Sequence, residues 1–249
     1  MPELGPIVLV PGAWHAGWTW RAVASRLRQH GYAVYTPTFP GLGFNDDPRG
    51  VTLSDGISYL TDYLEDGGIS DATVVAHSWG GFAAAGAVPR AGSRMRRLVY
   101  WSAFVPQLGE SFLDLLEPSS RRHFEKQAES SADRSVSLSL GAWKAGFMQD
   151  ASDDSQRMVH NLLSPQPIGT LSEPSAVDAA ALDIPSSYIF SPNDLAMPPG
   201  EYGWRRFRDR LPGAARISFD GSHESMFTCP DALTATLLSA IHPDTASKA

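Results

Sequence analysis

The chain has 249 residues, 43% of them hydrophobic and 19% charged, which is enough apolar material for one large buried core and too much for a disordered segment. Its formal net charge of −7 excludes a nucleic-acid surface built on clustered Lys and Arg. A lone cysteine, Cys229, excludes an intramolecular disulfide and a Cys-based metal site, and no apolar run approaches the roughly 20 residues of a membrane span.

Met1–Pro6 has neither a basic region nor a long apolar stretch, so no signal peptide and a cytoplasmic location are expected. Ile7–Val10 reads as a buried strand, followed by a Gly-containing loop and a helix from about Trp18 to His30. Tyr32–Tyr35 is the next strand, closed by Pro37 and the turn around Gly41 and Gly43. Ser54-Asp55 is placed to cap a helix running to Asp66, where Gly67-Gly68 ends it. Ala72–Ala76 forms a third strand, Gly80–Val88 a helix of small residues, and Arg97–Trp101 a fourth strand. Continuous apolar strands separated by helices predict a mostly parallel sheet covered on both faces.

That rhythm breaks between Val105 and Leu182, where prolines, the polar run Glu129–Ser135 and two or three helix-like segments replace clear strands. Apolar residues such as Trp143, Phe147 and Leu162 give this stretch faces to bury, so residues 105–182 are expected to form a cap on a core made of 1–104 and 183–249. The sheet resumes with Ser187–Phe190, a helix over Glu201–Leu211, a strand over Ala215–Phe219 and a closing helix over Pro230–Ile241. The tail Pro243–Ala249 is expected to fray. The basic knots Arg94–Arg97 and Arg205–Arg208 read as solvated faces.

The strongest chemical signal is Val74-Val75-Ala76-His77-Ser78-Trp79-Gly80-Gly81. A buried strand passes into a helix through a sharp turn with Ser78 at its tip, the setting of a nucleophile held in strained backbone geometry among small neighbours. Ala76 stands where the usual G-x-S-x-G pattern has its first glycine. A serine hydroxyl needs a base. His223, in the loop after the last strand, lies at the strand ends where sites of open α/β folds gather. His15 follows the first strand and is a lesser candidate, His77 is expected to diverge from the nucleophile, and His30, His123, His160 and His242 read as surface residues. Asp194, just past the apolar run Tyr188–Phe190, is the acid expected to accept the imidazole N–H and hold the tautomer, ahead of Asp183 and Asp220. The order Ser78, Asp194, His223 suits this arrangement. An oxyanion hole needs two backbone N–H donors, each worth about 3–4 kcal/mol to the transition state. Trp79 and Ala13 are the expected pair, because Pro11 has no N–H to give.

Four segments carry a resemblance: Val8–Trp18, Val75–Gly81, Asp194–Pro199 and Gly221–Met226. With them the chain resembles the plant methyl esterase and hydroxynitrile lyase group and its bacterial esterase relatives, within the α/β-hydrolase superfamily. The resemblance implies an α/β-hydrolase core, a small helical cap, no cofactor and no metal, and hydrolysis of small carboxylic esters, and it supports the same triad and hole. The family usually has His where Pro11 stands. The lyase branch carries a Thr and a Lys where this chain has Gly12 and Glu224, and a carboxylate at the cyanide position would repel the leaving anion, which argues against cyanohydrin lysis. Glu224 is also placed to raise the pKa of His223.

The expected activity is therefore cleavage of an apolar ester or lactone through an acyl-enzyme. The alternatives are thioester or C–C bond hydrolysis, a lyase step on the same triad, or a non-catalytic small-ligand receptor. Trp14, Phe44, Phe104, Trp143, Phe147 and Met148 are the expected pocket walls. A small-molecule substrate is the expected partner, with no nucleic acid or membrane, and a homodimer is left open.

Overall fold

The structure, a computed structural model, describes residues 4–243. The expectations for the extreme N-terminus and for the tail past residue 243 lie outside them. The strands are β1 (Ile7–Val10), β2 (Val34–Tyr35), β3 (Ala72–Ser78), β4 (Met95–Ala103), β5 (Ser135–Val136), β6 (Gln166–Pro167), β7 (Ser186–Phe190) and β8 (Ala215–Ser218). Six of them form one sheet in the order β2-β1-β3-β4-β7-β8, and every neighbouring pair is parallel. The helices are α1 (Arg21–Gln29), α2 (Leu53–Asp66), α3 (Gly80–Ala91), α4 (Pro118–Ser130), α5 (Leu140–Ala142), α6 (Asp153–His160), α7 (Ile168–Ser172), α8 (Arg205–Asp209), α9 (Ser225–Thr228) and α10 (Pro230–Ile241).

Successive residues of a strand face opposite sides of a sheet, so a strand that is apolar throughout needs cover on both. Val8, Val10, Val74, Ala76, Leu98 and Tyr188 join one core with Leu60 and Leu64 of α2 and Phe82 of α3. Ile7, Leu9, Val75, Val99 and Ile189 join a second core with Val23 and Leu27 of α1 and Leu233 and Leu237 of α10. The parallel arrangement then delivers the loops after β1, β3, β7 and β8 to one edge of the sheet.

Several elements differ from their predicted extents. The Tyr32 amide bonds to Leu27 O at 3.2 Å, which delays β2 until Val34. The helix predicted from Glu201 begins only at Arg205, because Gly200 sits at φ +91° and Gly203 N turns back onto Gly200 O. Arg206 leaves the expected solvated face: it is half-buried and its guanidinium donates to the Leu115 carbonyl. The segment between β4 and β7 is ordered, and it contains an antiparallel pairing of β5 with β6 that no apolar run announced. Asp133 makes it possible by accepting from the Ser135 amide at 3.1 Å and its hydroxyl at 2.6 Å, which turns the serine-rich run into the start of β5.

The cap of α2 also moves. Thr52, not Ser54, is the N-cap: its hydroxyl accepts from Asp55 N at 3.2 Å while Asp55 Oδ2 accepts from Thr52 N at 2.9 Å, a complete capping box. Ser54 instead holds Glu173, next to α7. Replacing Thr52 with Ala is expected to lower stability by about 1 kcal/mol in urea titrations; an unchanged midpoint would show that the box contributes nothing.

Candidate active site

β3 ends on Ser78, whose φ of +52° lies in the left-handed region that non-glycine residues avoid. Close packing enforces it. A Cβ built on Gly80 would lie 2.7 Å from Pro11 O, and one on Gly81 would lie 2.0 Å from Phe104 O. Only glycines let α3 start so close to the loops after β1 and β4, and the Phe104 amide bonds to Ser78 O at 3.1 Å. The Gly80-Gly81 pair is thus explained by the tight turn that presents Ser78.

Asp194 follows β7 by four residues and His223 follows β8 by five, so their loops meet beside the β3 turn. Nδ1 of His223 and Oδ2 of Asp194 are 2.7 Å apart, with both side chains buried. A carboxylate can only accept, so Nδ1 carries the proton and Nε2 is left free to act as a base. The Ala196 amide donates to Asp194 Oδ1 at 3.0 Å and fixes the carboxylate. The imidazole stacks on Trp204 (5.2 Å, 15°) and meets the edge of Phe147 at 5.2 Å. Ser78 and His223 line one cavity of about 180 Å³.

Of the six aromatic and Met residues named from the sequence, Trp14, Phe104 and Phe147 line that cavity, joined by Phe112, Leu116, Phe124, Leu138, Met197 and Trp204. Phe44, Trp143 and Met148 do not. Phe44 is 71% exposed, while Trp143 and Met148 are buried behind the lining, with the Trp143 ring stacked 5.9 Å from Phe147 and its indole N–H bonded to Gln156 O. Aromatic character alone cannot tell a wall from the layer supporting it. Leu116, Phe124 and Leu138 come from the segment between β4 and β7, and only its folding back over the sheet edge makes them neighbours of Ser78.

Three polar residues near the site were unassigned or set aside in the sequence. Gln166 on β6 is fully buried, and its Oε1 accepts from the Trp14 amide at 2.7 Å. His77 does diverge from the cavity, but its Nε2 lies 3.1 Å from the His223 carbonyl and its ring 4.4 Å from that of His223, so it supports the backbone of His223. Burial, and then the nearby His223 and His15, push the His77 pKa well below its ordinary value and keep it neutral. His15 is buried off the cavity, with Nδ1 2.5 Å from Ala13 O and Nε2 3.3 Å from Glu224 Oε2. His160 is half-buried, 2.8 Å from Leu138 O. His242 is bonded to the Tyr32 hydroxyl at 2.7 Å.

A family model for the alpha/beta hydrolase family matches residues 7–236. The chain belongs to that family. It is 41% identical over 111 residues to the carbendazim hydrolyzing esterase of Nocardioides sp. (strain SG-4G), a match covering 44% of this chain and 46% of that one. The chain thus spans about half the length of that relative. Identity is 29% over 206 residues to the alpha/beta hydrolase nvfD of Aspergillus novofumigatus (strain IBT 16806), covering 77% and 79% of the two chains. Methylesterase 9 of Arabidopsis thaliana is 32% identical over 128 residues, covering 47% and 50%. Among solved structures, an extracellular alpha/beta-hydrolase from a Paenibacillus species superposes with a TM-score of 0.89 at 26% identity, over 95% of this chain and 99% of that one. That protein is described as sharing structural and functional homology with tobacco salicylic acid binding protein 2. The match to plant methylesterases and bacterial esterases agrees with the resemblance read from the sequence. No helix among the described residues is long and apolar enough to cross a membrane.

Burial lowers the His223 pKa, but the charge of Asp194, its hydrogen bond and the charge of Glu224 together outweigh this and leave the pKa raised. A general base works in its neutral form, so if His223 is the base of the reaction, its raised pKa places the acidic limb of kcat/KM above the ordinary histidine value of about 6.5. Glu224→Gln removes one contribution that favours the imidazolium, so the limb is expected to move toward lower pH. A limb that stays in place would rule out an influence of Glu224 on the base.

Proposed function

We propose that this protein is a serine esterase that cleaves small, neutral, apolar carboxylic esters or lactones through an acyl-enzyme. The reading rests on one observation above all: a buried 2.7 Å contact orients His223 toward the apolar cavity that it shares with the strained Ser78. Ser78 Oγ attacks the carbonyl carbon while Nε2 of His223 takes its proton. Asp194 holds the tautomer and stabilises the imidazolium. The amide N–H groups of Ala13 and Trp79 bind the oxyanion; among the described residues neither has an acceptor of its own. His223 then protonates the leaving alcohol, and water, activated by the same imidazole, releases the acid and restores Ser78.

Residues 105–182 serve as the cap, since Leu116, Phe124 and Leu138 roof the cavity. Among the described residues no Lys or Arg lines it, so no permanently cationic side chain offsets the desolvation of an anionic substrate. A cyanohydrin-binding side chain at position 12 has no room: a Cβ on Gly12 would lie 2.9 Å from Ser78 Cβ and 3.0 Å from His77 Nδ1. The esterases among the relatives support the same chemistry.

Fluorophosphonate labelling of Ser78 and turnover of p-nitrophenyl acetate test the reading. Ser78→Ala is expected to abolish labelling and lower kcat by about a thousandfold or more. Wild-type turnover in Ser78→Ala would overturn the mechanism.

A further inference from the structure

The peptide joining Ala13 to Trp14 is held at both polar ends by side chains, one from the neighbouring residue and one from 152 positions away. Its carbonyl faces Nδ1 of His15 at 2.5 Å, and its N–H donates to Oε1 of Gln166 at 2.7 Å. A carbonyl can only accept, so Nδ1 of His15 is the protonated nitrogen. The orientation of the Gln166 amide follows from its other contact. Thr170 Oγ1 donates to Pro167 O at 2.7 Å and so accepts from Nε2 of Gln166 at 2.6 Å, which leaves Oε1 for Trp14. Gln166 and His15 are both buried.

This peptide needs holding. Trp14 has φ +66°, a conformation that costs a non-glycine residue about 1–2 kcal/mol. Rotating the peptide plane about its Cα–Cα axis changes ψ of residue 13 and φ of residue 14 together, so a flip would relax Trp14 and break both contacts. It would also release the loop that carries the Ala13 N–H. Two further bonds tie the same region to the segment between β4 and β7: Trp14 Nε1 to Val136 O at 3.0 Å and Trp79 Nε1 to Thr170 O at 2.9 Å.

We propose that Gln166, with His15 opposite it, is a positioning residue that clamps the Ala13–Trp14 peptide and thereby sets the oxyanion donor at Ala13. The inference rests on the esterase reading above. The segment between β4 and β7 then does two things: it roofs the substrate cavity, and it completes the geometry that stabilises the transition state.

Gln166→Met keeps the length of the side chain and removes its acceptor. Misplacing a donor by about 1 Å costs on the order of 100-fold, so kcat is expected to fall by about 10- to 100-fold while KM changes by less than about twofold. The inhibition constant of a trifluoromethyl ketone, whose adduct at Ser78 presents an oxyanion, rises by the same factor. Gln166→Glu, which still offers an oxygen to the Trp14 amide, recovers much of kcat. A packing role would shift Tm or KM without moving kcat and the ketone constant together, and that result overturns the proposal, as does wild-type kcat in Gln166→Met. If Gln166→Met does not fold, Thr170→Val decides, since it removes the hydroxyl that orients the glutamine; unchanged kcat there overturns it equally. Hydrogen exchange at the Trp14 amide reads the clamp without any turnover. It accelerates in Gln166→Met if the clamp exists, so an inactive wild-type protein would sink the esterase reading and leave this one decidable, while unchanged exchange would sink the clamp.

Discussion

The hydrogen bond between His223 and Asp194 is the contact on which the site depends. It joins the loops that follow β7 and β8, and it does so where neither side chain reaches water. Burying a carboxylate and a titratable imidazole separately is costly, and burying them as a bonded pair with the Ala196 amide on the second carboxylate oxygen offsets much of that cost. Trp204 and Phe147 then fix the plane of the ring. The free nitrogen is thereby held in one orientation, and under the proposed esterase reading that is the condition for efficient proton transfer.

Two of the residues at positive φ, Ser78 and Trp14, lie on the cavity beside this pair, and their surroundings hold them there. At Ser78 the restraint is steric, from the close approach of α3 to the loops after β1 and β4. At Trp14 it is polar, from His15 and Gln166. Residues in such conformations persist only where their surroundings over-determine them. The buried glutamine, invisible to any periodicity, belongs to that surrounding.

A layer of histidines and one carboxylate lies behind His223. His77 supports the main chain of His223, and His15 stands between the Ala13 carbonyl and Glu224. Glu224 is wholly buried, so its charge acts through a medium that screens poorly, and it adds to the field that favours the imidazolium. The apolar cavity on the other side of His223 contains little to compete with these contacts.

The sequence alone determined the strands of the covered parallel sheet and the turn at Ser78, and it singled out Ser78, Asp194 and His223, which the fold carries to one sheet edge. Those features are local: apolar runs, glycines beside a serine, and polar residues just past strand ends. It placed the helix cap at Ser54 rather than Thr52 and missed the β5–β6 pairing, because a two-residue strand has no pattern to read. Only the tertiary structure decided which aromatic residues face the cavity, since Phe44, Trp143 and Phe147 look alike until the segment between β4 and β7 is folded over the sheet edge. It likewise brought Gln166 to Trp14, 152 positions away in sequence. Such contacts depend on how distant segments close on each other, and no spacing within either segment encodes that.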